Sequence, residues 1–122
     1  MMDLDVAHEF LEGAELALEK GLYRVAAANG YYAMFWAARA ALRHVGIVRD
    51  EWSHGGLLHA YGLELVKHRE LLPPNTSEWL KDAYTLRSVA HYDPDGVGTK
   101  KTRRSVLHAR HMTTQVRELM EK

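Results

Sequence analysis

The chain has 122 residues, enough for one domain with a real core and too few for a second folded unit, so residues 1–122 are read as one domain. Apolar residues make up 47% and charged residues 26%, with only three prolines, which excludes a disordered or low-complexity chain; zero cysteines exclude a disulfide framework, thiolate metal sites and a cysteine nucleophile. Sixteen basic residues balance sixteen acids, so no bulk charge points to a partner, but Asp3, Asp5, Glu9, Glu12, Glu15 and Glu19 crowd one end while residues 97–111 carry Lys100, Lys101, Arg103, Arg104 and Arg110 without an acid.

In chain order, the first element is a surface helix over residues 3–20. Ala7, Phe10, Leu11, Ala14, Ala17 and Leu18 form one stripe of a 3.6-residue period, and Gly21 stops it. Residues 22–45 leave almost no polar face: Ala26, Ala27, Ala28, Tyr31, Tyr32, Met34, Phe35, Trp36, Ala37 and Ala38 predict the buried central helix, ended by Gly46. Ser53 suits the N-cap of a third helix bearing Leu57, Leu58, Tyr61, Leu65 and Val66, which Pro73-Pro74 closes. Asn75 and Glu78 have capping-box spacing for a fourth helix with an inner stripe of Trp79, Leu80, Ala83, Leu86 and Ala90. Asp93-Pro94-Asp95-Gly96 is a turn, and residues 99–121 resume helical periodicity. The expected fold is all-α, an antiparallel up-and-down bundle of four to five helices. No apolar run approaches the roughly 20 residues that span a bilayer, and the acidic start is unlike a signal peptide. No membrane association is therefore expected, and cytoplasm is the expected location.

Three features stand out chemically. Arg87 lies on the inner stripe of the fourth helix, where a charge is costly unless paired; His91 follows one turn later on the same face, and Tyr84 and Tyr92 flank the two. Two readings are open: a structural ion pair between Arg87 and an acid of the first helix, or a site. Asn29 is an amide among alanines that needs a partner, either pinning the bundle or orienting Arg87. Lys100, Lys101, Arg103 and Arg104 open the last helix, where the dipole disfavours cations; they hold an anion such as phosphate or RNA, or they form a solvated face that balances the acidic first helix. His108 and His111 lack further ligands for a metal, the 93–104 segment fails the calcium-loop pattern, and no nucleotide-loop or nucleophile-elbow motif occurs, so no metal or cofactor is assigned.

The segment Ala28-Asn29-Gly30-Tyr31-Tyr32-Ala33-Met34-Phe35-Trp36-Ala37-Ala38-Arg39-Ala40-Ala41-Leu42 resembles the second helix of small prokaryotic HEPN-domain proteins. Ser53-His54-Gly55-Gly56 is similar to the start of their third helix, and Leu86-Arg87-Ser88-Val89-Ala90-His91-Tyr92 to their Arg-x-x-Ala-Asp-Tyr segment. The resemblance implies a helical bundle, a homodimer, and a nucleotide- or RNA-binding subunit of a toxin–antitoxin-like pair with a minimal nucleotidyltransferase. Its alternative is a metal-independent endoribonuclease toxin with Arg87 and His91 as the catalytic pair. Asn29, Tyr84 and His54 would support that pair, Lys100, Lys101, Arg103 and Arg104 would hold RNA phosphates, and Tyr92 would be the adenylylation site. In the family's catalytic pattern four to six residues separate Arg from His; here three do.

Overall fold

The computed structural model describes residues 2–122. Among the described residues five helices form an all-α bundle: α1 (Met2–Glu19), α2 (Tyr23–His44), α3 (His54–Ala60), α4 (Pro74–Tyr92) and α5 (Thr99–Met120), with a π-helical segment, Tyr61–His68, continuing α3. The four long helices alternate in direction. Arg43 near the end of α2 reaches Asp3 at the start of α1, Arg24 near the start of α2 reaches Ala90 at the end of α4, and Trp79 of early α4 meets His108 of mid α5. This is the up-and-down order that short connections favour.

The centre is α2, which packs on every other helix. Its small residues explain why: Ala26, Ala27, Ala33, Ala37, Ala38 and Ala41 are fully buried, and a side chain on Gly30 would meet Val106 of α5 at 3.7 Å. Small side chains let neighbouring backbones approach closely, while Met34, Leu42, Leu57, Leu65, Leu80 and Met112 fill the volume between them. Gly21, with φ of +74°, closes α1 through a Leu22 N–H to Ala17 carbonyl bond of 2.8 Å. Only glycine takes that backbone cheaply. No helix among the described residues is long and apolar enough to cross a membrane.

Two local expectations are corrected. The third helix is not regular: after α3 it widens into the π-helical segment. Leu57, Tyr61 and Leu65, spaced by four, drift around a helix of 3.6 residues per turn, and the wider i→i+5 turn returns all three to the core, each fully buried. Nor does Asn75 cap α4. The helix starts one residue earlier at Pro74, whose fixed φ and missing N–H suit the first helical position. Asn75 is exposed, and the polar anchor is instead Thr76, which donates to the Pro73 carbonyl at 2.7 Å and accepts from the buried Tyr61 hydroxyl at 2.8 Å.

Candidate functional site

The helical period of α4 gives it two working faces. Ala83, Arg87, Ala90 and His91 turn toward α2, and Asp82, Leu86 and Val89 turn toward α5. On the first face the Arg87 guanidinium donates through Nε to the Tyr32 hydroxyl at 3.1 Å. It lies 5.3 Å from the Tyr32 ring centroid and 5.7 Å from that of Tyr31, within reach of both π faces. No carboxylate pairs with it among the described residues. The hydrogen bond to Tyr32 pushes its pKa further up, so the charge is permanent. The ion pair with an acid of the first helix is therefore not what the fold builds. A partly buried cation is held by aromatic groups, and its charge is left uncompensated.

Tyr31 connects this arginine to α3. Its hydroxyl lies 3.1 Å from His54 Nδ1, and the His54 ring stacks on Tyr84 with centroids 3.7 Å apart and planes 11° apart. Tyr84 also meets Tyr31 edge-on at 5.5 Å. Burial pushes the Tyr31 phenol well above its ordinary value and lowers the His54 imidazole. At neutral pH the hydrogen bond thus joins two uncharged groups. Three of the residues singled out in the sequence, Arg87, His54 and Tyr84, belong to one cluster, and Tyr31 and Tyr32 tie it together.

Beside the cluster an open groove of about 400 Å³ is lined by Arg24, Val25, Ala28, Asn29, Arg87, Ala90 and His91. Asn29 faces this groove but does not bond to Arg87; Tyr32 has that role. The Asn29 amide instead lies against Gly13 of α1, its Nδ2 only 3.2 Å from where a glycine side chain would begin. His91 is exposed and rests edge-on against Tyr92, with centroids 4.7 Å apart. Tyr92 is 78% exposed. Arg24, which the sequence reading passed over, donates to the carbonyls of Ala90 at 2.8 Å, Asp93 at 2.6 Å and Pro94 at 3.0 Å. A cation at the C-terminal end of α4 complements its dipole, and carbonyl partners leave the charge itself unneutralised. The signal for Arg24 was its place in the first turn of α2, where that helix's own dipole opposes it.

The basic start of α5 does not extend this groove. Lys101 and Arg104 line a separate groove on the α5 side of α4, and Lys100 and Arg103 are exposed. Sequence proximity to His91 misleads here because the 93–98 turn folds α5 back along the opposite face. Of the basic residues in 97–111, Arg110 alone forms an ion pair, with Glu15 of α1. Balancing the acidic first helix thus accounts for Arg110 and leaves the other four without a carboxylate among the described residues. No cluster of three metal-ligating side chains occurs among the described residues, and His108 stacks on Trp79.

Comparison with known proteins agrees with this architecture. The model of the HEPN domain matches residues 4–122. The chain is 32% identical over 89 residues to a UPF0332 protein of Gloeobacter violaceus, covering 73% of this chain and 68% of that one. It is 28% identical over 109 residues to a candidate toxin of Methanocaldococcus jannaschii, covering 89% and 72%. A second candidate toxin of that organism is 30% identical over 92 residues, covering 75% and 66%. With a match over nearly its whole length and an Arg87 cluster built from the segments that carry the likeness, the chain belongs to the HEPN-domain family.

Proposed function

We propose that this protein is the nucleotide- or RNA-binding member of a toxin–antitoxin-like pair, acting as a homodimer with a minimal nucleotidyltransferase as partner. The observation that carries the reading is Arg87: a permanent, partly buried cation with no carboxylate, at the edge of a groove that Asn29, His91 and the charge of Arg24 also face. Such a surface favours an anion, and a phosphate accepts charge-assisted hydrogen bonds from a guanidinium in bidentate geometry. The candidate-toxin names of two relatives support the pairing. Tyr92, almost free of the protein surface, is the residue a nucleotidyltransferase would reach. Attack of its Oη on the α-phosphate of ATP would form a tyrosyl–AMP bond and release pyrophosphate.

A second reading rests on the position of His91 in the same groove as Arg87. There the protein is a metal-independent endoribonuclease. His91 takes the proton of a ribose 2′-hydroxyl as that oxygen attacks phosphorus, Arg87 stabilises the charge developing on the phosphate oxygens, and the 5′-oxygen leaves with the proton that His91 returns, so that the P–O5′ bond breaks and a 2′,3′-cyclic phosphate forms. Incubation of labelled cellular RNA with the purified protein in EDTA separates the two. Retarded but intact RNA, released by Arg87→Ala, is the result for a binding subunit. Cleavage that disappears in both Arg87→Ala and His91→Ala establishes the nuclease, and RNA neither retarded nor cut contradicts both.

A further inference from the structure

The end of α4 has a gap in its hydrogen bonding that follows from the order of its residues. In a helix each carbonyl accepts from the N–H four residues on. The Asp93 N–H serves Val89 at 2.9 Å. The donor for the next carbonyl, that of Ala90, would be residue 94, and Pro94 has no N–H. Ala90 is only 3% exposed, and a buried carbonyl without a donor is costly. Nor does a glycine close the helix: the cap residue Asp93 is extended, with φ of −86° and ψ of 117°, so the left-handed cap that ends many helices is absent.

Arg24, from the first turn of α2, fills the gap. Its Nη1 donates to the Ala90 carbonyl at 2.8 Å and to that of Asp93 at 2.6 Å, and its Nη2 donates to that of Pro94 at 3.0 Å. One planar group thus holds carbonyls on both sides of the exposed pair His91-Tyr92. The turn closes over the same guanidinium. Gly96, at φ of +91°, donates to the Asp93 carbonyl at 3.1 Å, and a side chain on it would stand 3.6 Å from Nη2. Arg24 also walls the groove that Asn29, Arg87 and His91 line, and a second recess against Gly96 and Val97. Its guanidinium therefore stands between the groove and the turn.

We propose that Arg24 is a positioning residue of the Arg87 groove: by capping α4 from outside the helix it fixes the last turn, and with it where His91 and Tyr92 stand relative to Arg87. The role needs a guanidinium and not merely a positive charge, because a lysine presents one nitrogen on a shorter reach and cannot span three carbonyls. The consequence for binding rests on the reading of this groove as the working site; the fixing of the turn does not.

The test reads the folded state by NMR in the full chain, Arg24→Ala and Arg24→Lys, each well below its unfolding temperature. Two signals are followed: the His91 ring protons, which sense the edge-on Tyr92 ring 4.7 Å away, and the backbone order parameters of residues 91–96. In both variants the His91 signals should move and the order of 91–96 should fall from about 0.85 to below about 0.6, while the rest of α2 and α5 stays rigid. A residue that only added stability would leave these folded-state signals unchanged. Added methylguanidinium should restore both in Arg24→Ala. Where the unmodified chain retains labelled single-stranded RNA, Arg24→Lys should hold it about fivefold or more weaker despite its intact charge, because the site is formed only part of the time. Unchanged His91 signals and order in Arg24→Ala, or an Arg24→Lys that matches the unmodified chain, would overturn the proposal. Failure of the unmodified chain to bind RNA counts against the nucleic-acid reading alone, since the NMR signals need no ligand and decide the role of Arg24 without it.

Discussion

Arg87 is partly buried, yet its neighbours are phenols rather than carboxylates. A carboxylate would have neutralised it; a phenol holds the guanidinium in place and leaves its charge available. Tyr32→Phe should therefore cost about 1 kcal/mol of stability by removing the hydrogen-bond acceptor, measured by denaturant unfolding, and should weaken RNA binding less than Arg87→Ala does. His54 and His108 give the protein a pH signature. Burial lowers both below the ordinary imidazole value, so each contributes stability that is present above the unfolded-state value near 6.5 and lost as pH falls through the lower folded value. Thermal unfolding should show a melting temperature that declines from pH 7.5 to pH 5, with a shallower decline in His54→Asn. An unchanged slope in that variant would contradict the assignment to His54. At this scale the sequence exposed the unusual residues but not their partners. Arg87, His54 and Tyr84 stand out by residue type and resemblance, whereas Tyr32 falls among the aromatics of a core helix and Arg24 carries no pattern that singles it out. Both partnerships bridge residues more than fifty positions apart, which no local spacing encodes.

The elements follow from simple patterning wherever one face is apolar throughout. The stripe of α1, the alanines of α2 and the punctuation by Gly21, Gly46 and Pro73-Pro74 place those helices correctly. The π-helical segment is where patterning failed, because an apolar spacing of four over only three positions is close enough to an ordinary helix to be read as one; the widened turn keeps Leu57, Tyr61 and Leu65 in the core and lets the Tyr61 hydroxyl bond Thr76 of α4. Tyr61→Phe should destabilise the protein by about 1 kcal/mol, since the buried Thr76 Oγ1 loses the hydrogen bond it accepts from Tyr61. Circular dichroism should show little change in helical content, because the apolar ring stays buried. The two faces of α4 were likewise only half legible. Periodicity groups Arg87 with His91, but only the turn at 93–98 decides that Lys101 and Arg104 border the other face.

In the whole molecule, zero net charge conceals a division of labour. The acids of α1 meet Arg110 and Arg43, while Arg87 and the cations opening α5 remain without carboxylates on two faces of α4. For the proposed homodimer, sedimentation analysis should give twice the monomer mass. The proposed binding of RNA phosphates in the Arg87 groove is checked by fluorescence-anisotropy titration of a labelled single-stranded RNA at several salt concentrations, comparing wild type with Arg87→Ala. Binding by the wild type that weakens with salt, with about tenfold or greater loss and a shallower salt dependence in the variant, is the predicted result. Equal affinity and equal salt dependence in the two proteins would contradict it.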